Sequence, residues 1–153
     1  MELTIIPALS GLVGVLVMTF FLRRARFFHL PETPMIRAIG SMVTKDPAAA
    51  LIPGFIIHLA GGILFAYIYA IFLSTAPISD NFPAAILIVV CTIIGFVHGL
   101  IVTLMLVISV AQYHPVEEFR KLDPGDMAAH VIAHLMYGLT VGLGFAYLPS
   151  LLM

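Results

Sequence analysis

Four of the six histidines in this 153-residue chain, His58, His98, His130 and His134, fall inside long apolar runs. An ionisable side chain at membrane depth is a functional candidate by default, because hydrocarbon gives it no water to bond. His58 and His134 occupy matching places in two runs that share the pattern His-Leu-x-x-Gly. His130 stands one helical turn before His134, on the same face. Imidazoles on facing helices suit axial ligation of a b-type haem, or a metal site built from neutral rings. The competing reading is structural: histidines in a bundle hydrogen-bond across helices, each such bond averaging about 0.6 kcal/mol.

Geometry separates the two. Ligation requires the nitrogens of His58 and His134 to converge, each ring oriented by a second acceptor. Packing requires each ring to reach a carbonyl or hydroxyl of a neighbouring helix, such as Thr103 or Thr140, with no shared cavity between His58 and His134. The apolar runs contain no carboxylate to orient a ligand, and Asp126, the nearest, reads as a helix cap. Packing is therefore the favoured reading, and no resident cofactor is expected; haem b or a metal is the alternative.

The elements that carry these residues follow from composition. With 61% hydrophobic and 10% charged residues, the chain has too little polar surface to cover a soluble globule, so lipid must be its solvent. A bilayer core needs about 20 apolar residues per helix. Runs at 3–22, 48–73, 84–111 and 127–152 meet that length, and they leave no room for a separate soluble domain. The expectation is a single all-helical transmembrane domain over residues 1–153.

All seven basic residues lie in two of the linkers: Arg23, Arg24, Arg26, Arg37 and Lys45 after the first run, Arg120 and Lys121 after the third. The positive-inside rule places both linkers in the cytoplasm, and puts Met1, the loop at 76–81 and Met153 on the opposite side of a cytoplasmic (inner) membrane. The first run reads as a retained helix and not as a cleaved signal, because its basic cluster follows the apolar stretch instead of preceding it.

Self-comparison suggests a duplication. The first run contains Gly11-x-Val13-x-x-Leu16-x-x-Thr19 and the third Gly95-x-Val97-x-x-Leu100-x-x-Thr103. The second is entered by Asp46-Pro47 and the fourth by Asp123-Pro124, ahead of their His-Leu-x-x-Gly motifs. Two helical hairpins in the same order and orientation form a parallel repeat about an axis along the membrane normal.

Each repeat carries an amphipathic cytoplasmic linker. In the first, Met35, Ile36, Ile39, Met42 and Val43 share a helical face from which Arg37, Ser41 and Lys45 point away, as in a helix lying among headgroups. Arg23, Arg24, Arg26, Arg37 and Lys45 are its interfacial cations. In the shorter second linker Val116, Phe119 and Leu122 are spaced for one face. Gly11, Gly62, Gly95, Gly99, Gly138 and Gly142 read as helix-packing positions where backbones approach closely. Tyr67, Tyr69, Tyr137 and Tyr147 lie along the outer halves of their helices, the outermost fitting an interfacial belt. Cys91, the only cysteine, reads as a buried apolar thiol.

Several activities are set aside. There is no Gly-x-Ser-x-Gly elbow, phosphate-binding Gly-Lys-Ser/Thr loop, cysteine pair or intramembrane carboxylate pair. His130-x-x-x-His134 has metalloprotease spacing, but Val131 stands where the general-base Glu belongs. Seven membrane-bound cations are too few for nucleic acid. Gly11-x-x-Gly14 with Met18-Thr19, His58-Leu59-x-x-Gly62 and His134-Leu135-x-Tyr137-Gly138 resemble small four-helix prokaryotic membrane proteins classed as a domain of unknown function. That resemblance implies a single polytopic domain and no particular activity. The function expected is a non-enzymatic membrane subunit or accessory protein, its partners being lipid and other membrane subunits or further copies of itself. A b-type haem or metal electron-transfer protein and a small transporter or channel are the alternatives.

Overall fold

The computed structural model describes residues 5–75 and 83–152, and these are helical with no strand. In chain order they form α1 (Ile5–Arg23), a 3-10 turn (Ala25–Phe28), α2 (Met35–Thr44), α3 (Leu51–Thr75) and α4 (Ala84–Met105). A π-helical turn (Leu106–Val110) carries α4 on into α5 (Ala111–Tyr113), then come a second 3-10 turn (Glu117–Arg120) and α6 (Pro124–Leu152). Four segments, Ile5–Arg23, Leu51–Thr75, Ala84–Tyr113 and Pro124–Leu152, are long and apolar enough to cross a membrane. Helices are the form such sequences must take in lipid, since each backbone polar group needs a partner within its own segment. The expected outer positions, Met1, the 76–81 loop and Met153, lie outside the described residues.

Helix starts differ from expectation for reasons of capping. The last helix opens at Pro124, three residues before the apolar run. Asp123 Oδ1 accepts from the Gly125 N–H at 2.7 Å, while Asp126 Oδ2 accepts from the Asp123 N–H at 3.0 Å. This reciprocal capping box makes Asp123 the cap and Asp126 its third-position partner, with Pro124 at the first helical position, where a missing N–H costs nothing. The second span starts later, at Leu51, because Asp46 Oδ1 takes the Ala48 N–H and the Ala50 N–H closes a turn on Pro47.

The helices close along four seams: α4 with α6, α6 with α1, α1 with α3, and α3 with α2. Glycines set the spacing. A Cβ on Gly62 would lie 2.7 Å from Val15 Cβ, and one on Gly11 would lie 2.7 Å from the Gly62 carbonyl oxygen. Across the α4–α6 seam, a Cβ on Gly138 would meet the Cys91 carbonyl oxygen at 2.4 Å and Gly95 Cα at 2.8 Å. Gly99 abuts His134 and Val131, and Gly142 abuts Ile88 and Cys91. The core between the helices is small and aromatic by turns, with Val15, Ala66, Ala133 and Val141 beside Tyr69, Tyr137 and Phe145. Cys91 is a free thiol within it.

α2 packs directly against α3. A Cβ on Gly40 or Gly54 would fall within 2 Å of a backbone oxygen, Ala50 or Ile36 respectively, so the two helices touch backbone to backbone. Ser41, polar and off the apolar face by sequence, is fully buried, whereas Met42 and Val43 are exposed. The reason is the hydroxyl's set of partners: it donates to the Arg37 carbonyl at 2.7 Å and lies 3.4 Å from His114 Nε2.

Both long linkers meet at one end of the bundle. Thr33 Oγ1 donates to Asp126 Oδ1 at 2.9 Å, and His114 Nε2 reaches the Ala38 carbonyl at 2.9 Å. The seven basic residues therefore gather at that end.

Candidate functional site: a histidine and tyrosine cleft between α3 and α4

α3 and α4 are the neighbours that do not pack backbone to backbone; side chains bridge them instead. Tyr69 Oη on α3 lies 3.2 Å from His98 Nδ1 on α4. The His98 ring also stacks on Phe65, with centroids 4.0 Å apart and planes tilted 31°. Its edge meets His134 of α6 at 4.8 Å, nearly perpendicular. Tyr137, again from α6, sits edge-on to Tyr69 at 5.8 Å and donates its hydroxyl proton across the bundle to the Gly62 carbonyl. These large rings wedge α3 and α4 apart where glycines draw the other seams together.

The space left is a cavity of about 180 Å³. His58, His98 and His134 line it together with Gly61, Phe65 and Tyr137. Met35 and Ile39 of α2 also border it.

Each histidine has a defined state of bonding. His134 donates Nδ1–H to the His130 carbonyl one turn back at 2.8 Å, which leaves its Nε2 with no partner. His130 does the same with the Asp126 carbonyl at 2.7 Å, and its Nε2 lies 2.8 Å from the Met35 sulfur, outside the cleft wall. His58 is nine-tenths buried, and its Nε2 has no hydrogen-bond partner. A buried polar group left unsatisfied costs about 1–3 kcal/mol, so this nitrogen stands out.

The two geometric expectations are met unevenly, and His58 and His134 line one shared cavity, against the packing expectation. His98 reaches a hydroxyl of another helix, but that hydroxyl is Tyr69. His130 and His134 bond carbonyls of their own helix, and His58 bonds nothing. Thr103 Oγ1 is itself buried without a partner, and Thr140 donates to Met136 on its own helix. Among the described residues, no group of three or more His, Cys, Asp or Glu is disposed to hold a metal ion.

Sequence reasoning passed over two tyrosines of the cleft and one buried histidine outside it. His114 is fully buried at the end of α5: its Nδ1 accepts the Val116 N–H, so Nε2–H is the donor to Ala38. The π turn just before it re-aims the helix face, and nothing in the sequence marks that turn. Tyr69 and Tyr137, grouped with interfacial tyrosines by position, are buried partners of the histidines, whereas Tyr147 is half exposed. Their spacing did carry the signal: His58, Gly62, Ala66, Tyr69 and Leu73 form one stripe on α3, as His130, His134, Tyr137, Val141 and Phe145 do on α6.

The chain matches no family model, no curated protein and no solved structure.

Proposed function

We propose that this chain is a non-enzymatic integral membrane subunit, an accessory component that contributes four helices to a larger assembly in the cytoplasmic membrane. The observation that carries this reading is how little of two spans the chain itself covers. Only 22% of the apolar window of Ala84–Tyr113 and 28% of that of Leu51–Thr75 is buried. The uncovered flanks are built of large side chains, Ile93, Leu100 and Leu104 on α4 and Ile56, Leu64 and Phe72 on α3. Neighbouring helices can add dispersion contacts to such flanks, which is the main attraction available in a bilayer.

The gathering of basic residues at one end supports an orientation with that end in the cytoplasm and both termini outside. A duplicated origin is supported by a glycine at the same kind of seam in each hairpin, Gly62 resting on Gly11 and Val15 and Gly138 on Cys91 and Gly95, but the expected pairing of Gly11 with Gly95 is not met. On this reading the contact register pairs Val15, not Gly11, with Gly95, a slip of one helical turn from the motif alignment.

One observation favours the haem or metal alternative: the Nδ1 bonds of His130 and His134 are the tautomer-fixing kind that ligating imidazoles use. The cleft's size weighs against a porphyrin, being below the roughly 300–1,000 Å³ of sites for drug-sized ligands.

Cross-linking in native membranes, followed by native mass spectrometry in mild detergent, tests the subunit reading. The expected species is heavier than the 16.6 kDa chain. A monomer in both measurements refutes it.

A further inference from the structure

We infer that the cleft between α3 and α4 binds a lipid-soluble molecule presenting one aromatic or quinonoid ring that bears a hydroxyl or carbonyl group. Its size sets the ring count. At about 180 Å³ it is close to the roughly 150 Å³ cavity that holds a benzene molecule, which gives room for one substituted ring. Its walls set the ring's character: Phe65, His98 and Tyr137 supply aromatic faces and edges, and Ile57, Val102 and Met18 supply apolar contacts.

The polar atoms set the substituent. His58 Nε2 is buried and unpartnered, and His134 Nε2 is a bare lone pair because the proton sits on Nδ1. A ligand hydroxyl can donate to the His134 lone pair, and a carbonyl can accept from His58 in its Nε2–H tautomer. The bond to His58 removes a buried unsatisfied nitrogen, which a plain alkyl chain cannot do.

Access is from the bilayer. The cleft lies along the open α3–α4 seam, and a Cβ built on Gly61 at its wall meets nothing within 4 Å. The site is contained in one chain and does not depend on the subunit reading.

The test is photoaffinity labelling of the full chain in phosphatidylcholine nanodiscs with an azido-benzoquinone carrying a decyl tail. Unlabelled decyl-benzoquinone, decylphenol and decane serve as competitors. Labelling is expected to saturate, to map to α3 and α4 residues facing the cleft, and to yield to the quinone or the phenol but not to decane. His58→Ala should raise the half-saturating concentration about tenfold, the effect of one hydrogen bond lost in a dry site. Gly61→Phe, which fills open space, should abolish saturable labelling while leaving thermal stability near that of the parent. Linear, non-saturating labelling, or equal competition by decane, overturns the inference. So does saturable labelling that neither variant changes.

Discussion

Alanine at Gly138 should destabilise this protein far more than alanine at Gly61, although both are mid-helix glycines in apolar spans. The first added methyl would sit 2.4 Å from the Cys91 carbonyl oxygen and 2.8 Å from Gly95 Cα, both backbone atoms that no rotamer change can move aside. Ordinary contact distances begin near 3.4 Å, so α4 and α6 must separate by about 1 Å along their closest seam. A gap of that size forfeits about a quarter to a half of each dispersion well across it. Overpacking a well-fitted core costs about 1–3 kcal/mol, and a backbone obstacle puts Gly138→Ala at the upper end. At Gly61 the same methyl meets nothing within 4 Å. There the change should be neutral or stabilising, by up to about 1 kcal/mol of helix propensity. Denaturant unfolding of the purified variants in mixed micelles, followed by helical circular dichroism, measures the difference. Equal stability of the two variants, or a Gly138→Ala protein as stable as the parent, would refute the glycine-seam argument.

His114→Ala should loosen α2 by removing a fully buried ring and its bond to the Ala38 carbonyl, which keeps the Ser41 hydroxyl as a donor, at a cost of about 0.5–1.5 kcal/mol for the bond, and is read as faster hydrogen exchange over residues 35–45 with the spans unchanged. Asp123→Ala should fray the first turn of α6 and cost about 1 kcal/mol in the same unfolding assay, since it deletes the acceptor for the Gly125 N–H. For orientation, Glu117→Cys and Lys121→Cys should react with impermeant maleimide only from the cytoplasmic side, and Thr75→Cys and Ser150→Cys only from the opposite side. Labelling of Lys121→Cys from outside would reverse the assignment.

The four spans were legible in the sequence because hydrocarbon imposes a length and a composition on any helix that crosses it, and because basic side chains cannot follow. The glycines at 11, 62, 95, 99, 138 and 142 could likewise be named in advance, since a missing side chain leaves few other roles. Which glycine meets which partner could not: pairing depends on how far one helix slides along another, and Gly62 finds Val15 as readily as Gly11. The histidines were visible as polar points in apolar runs, yet their bonding was decided by neighbours from distant parts of the chain. His98 gains Tyr69 and Phe65, His130 gains Met35, and His114 gains Ala38 across 76 residues. The cleft is the clearest case. It exists because three seams of the four spans close on small residues while the fourth is propped open by Phe65, Tyr69, Tyr137 and His98, and a void is a property of several surfaces together that no single segment of sequence encodes.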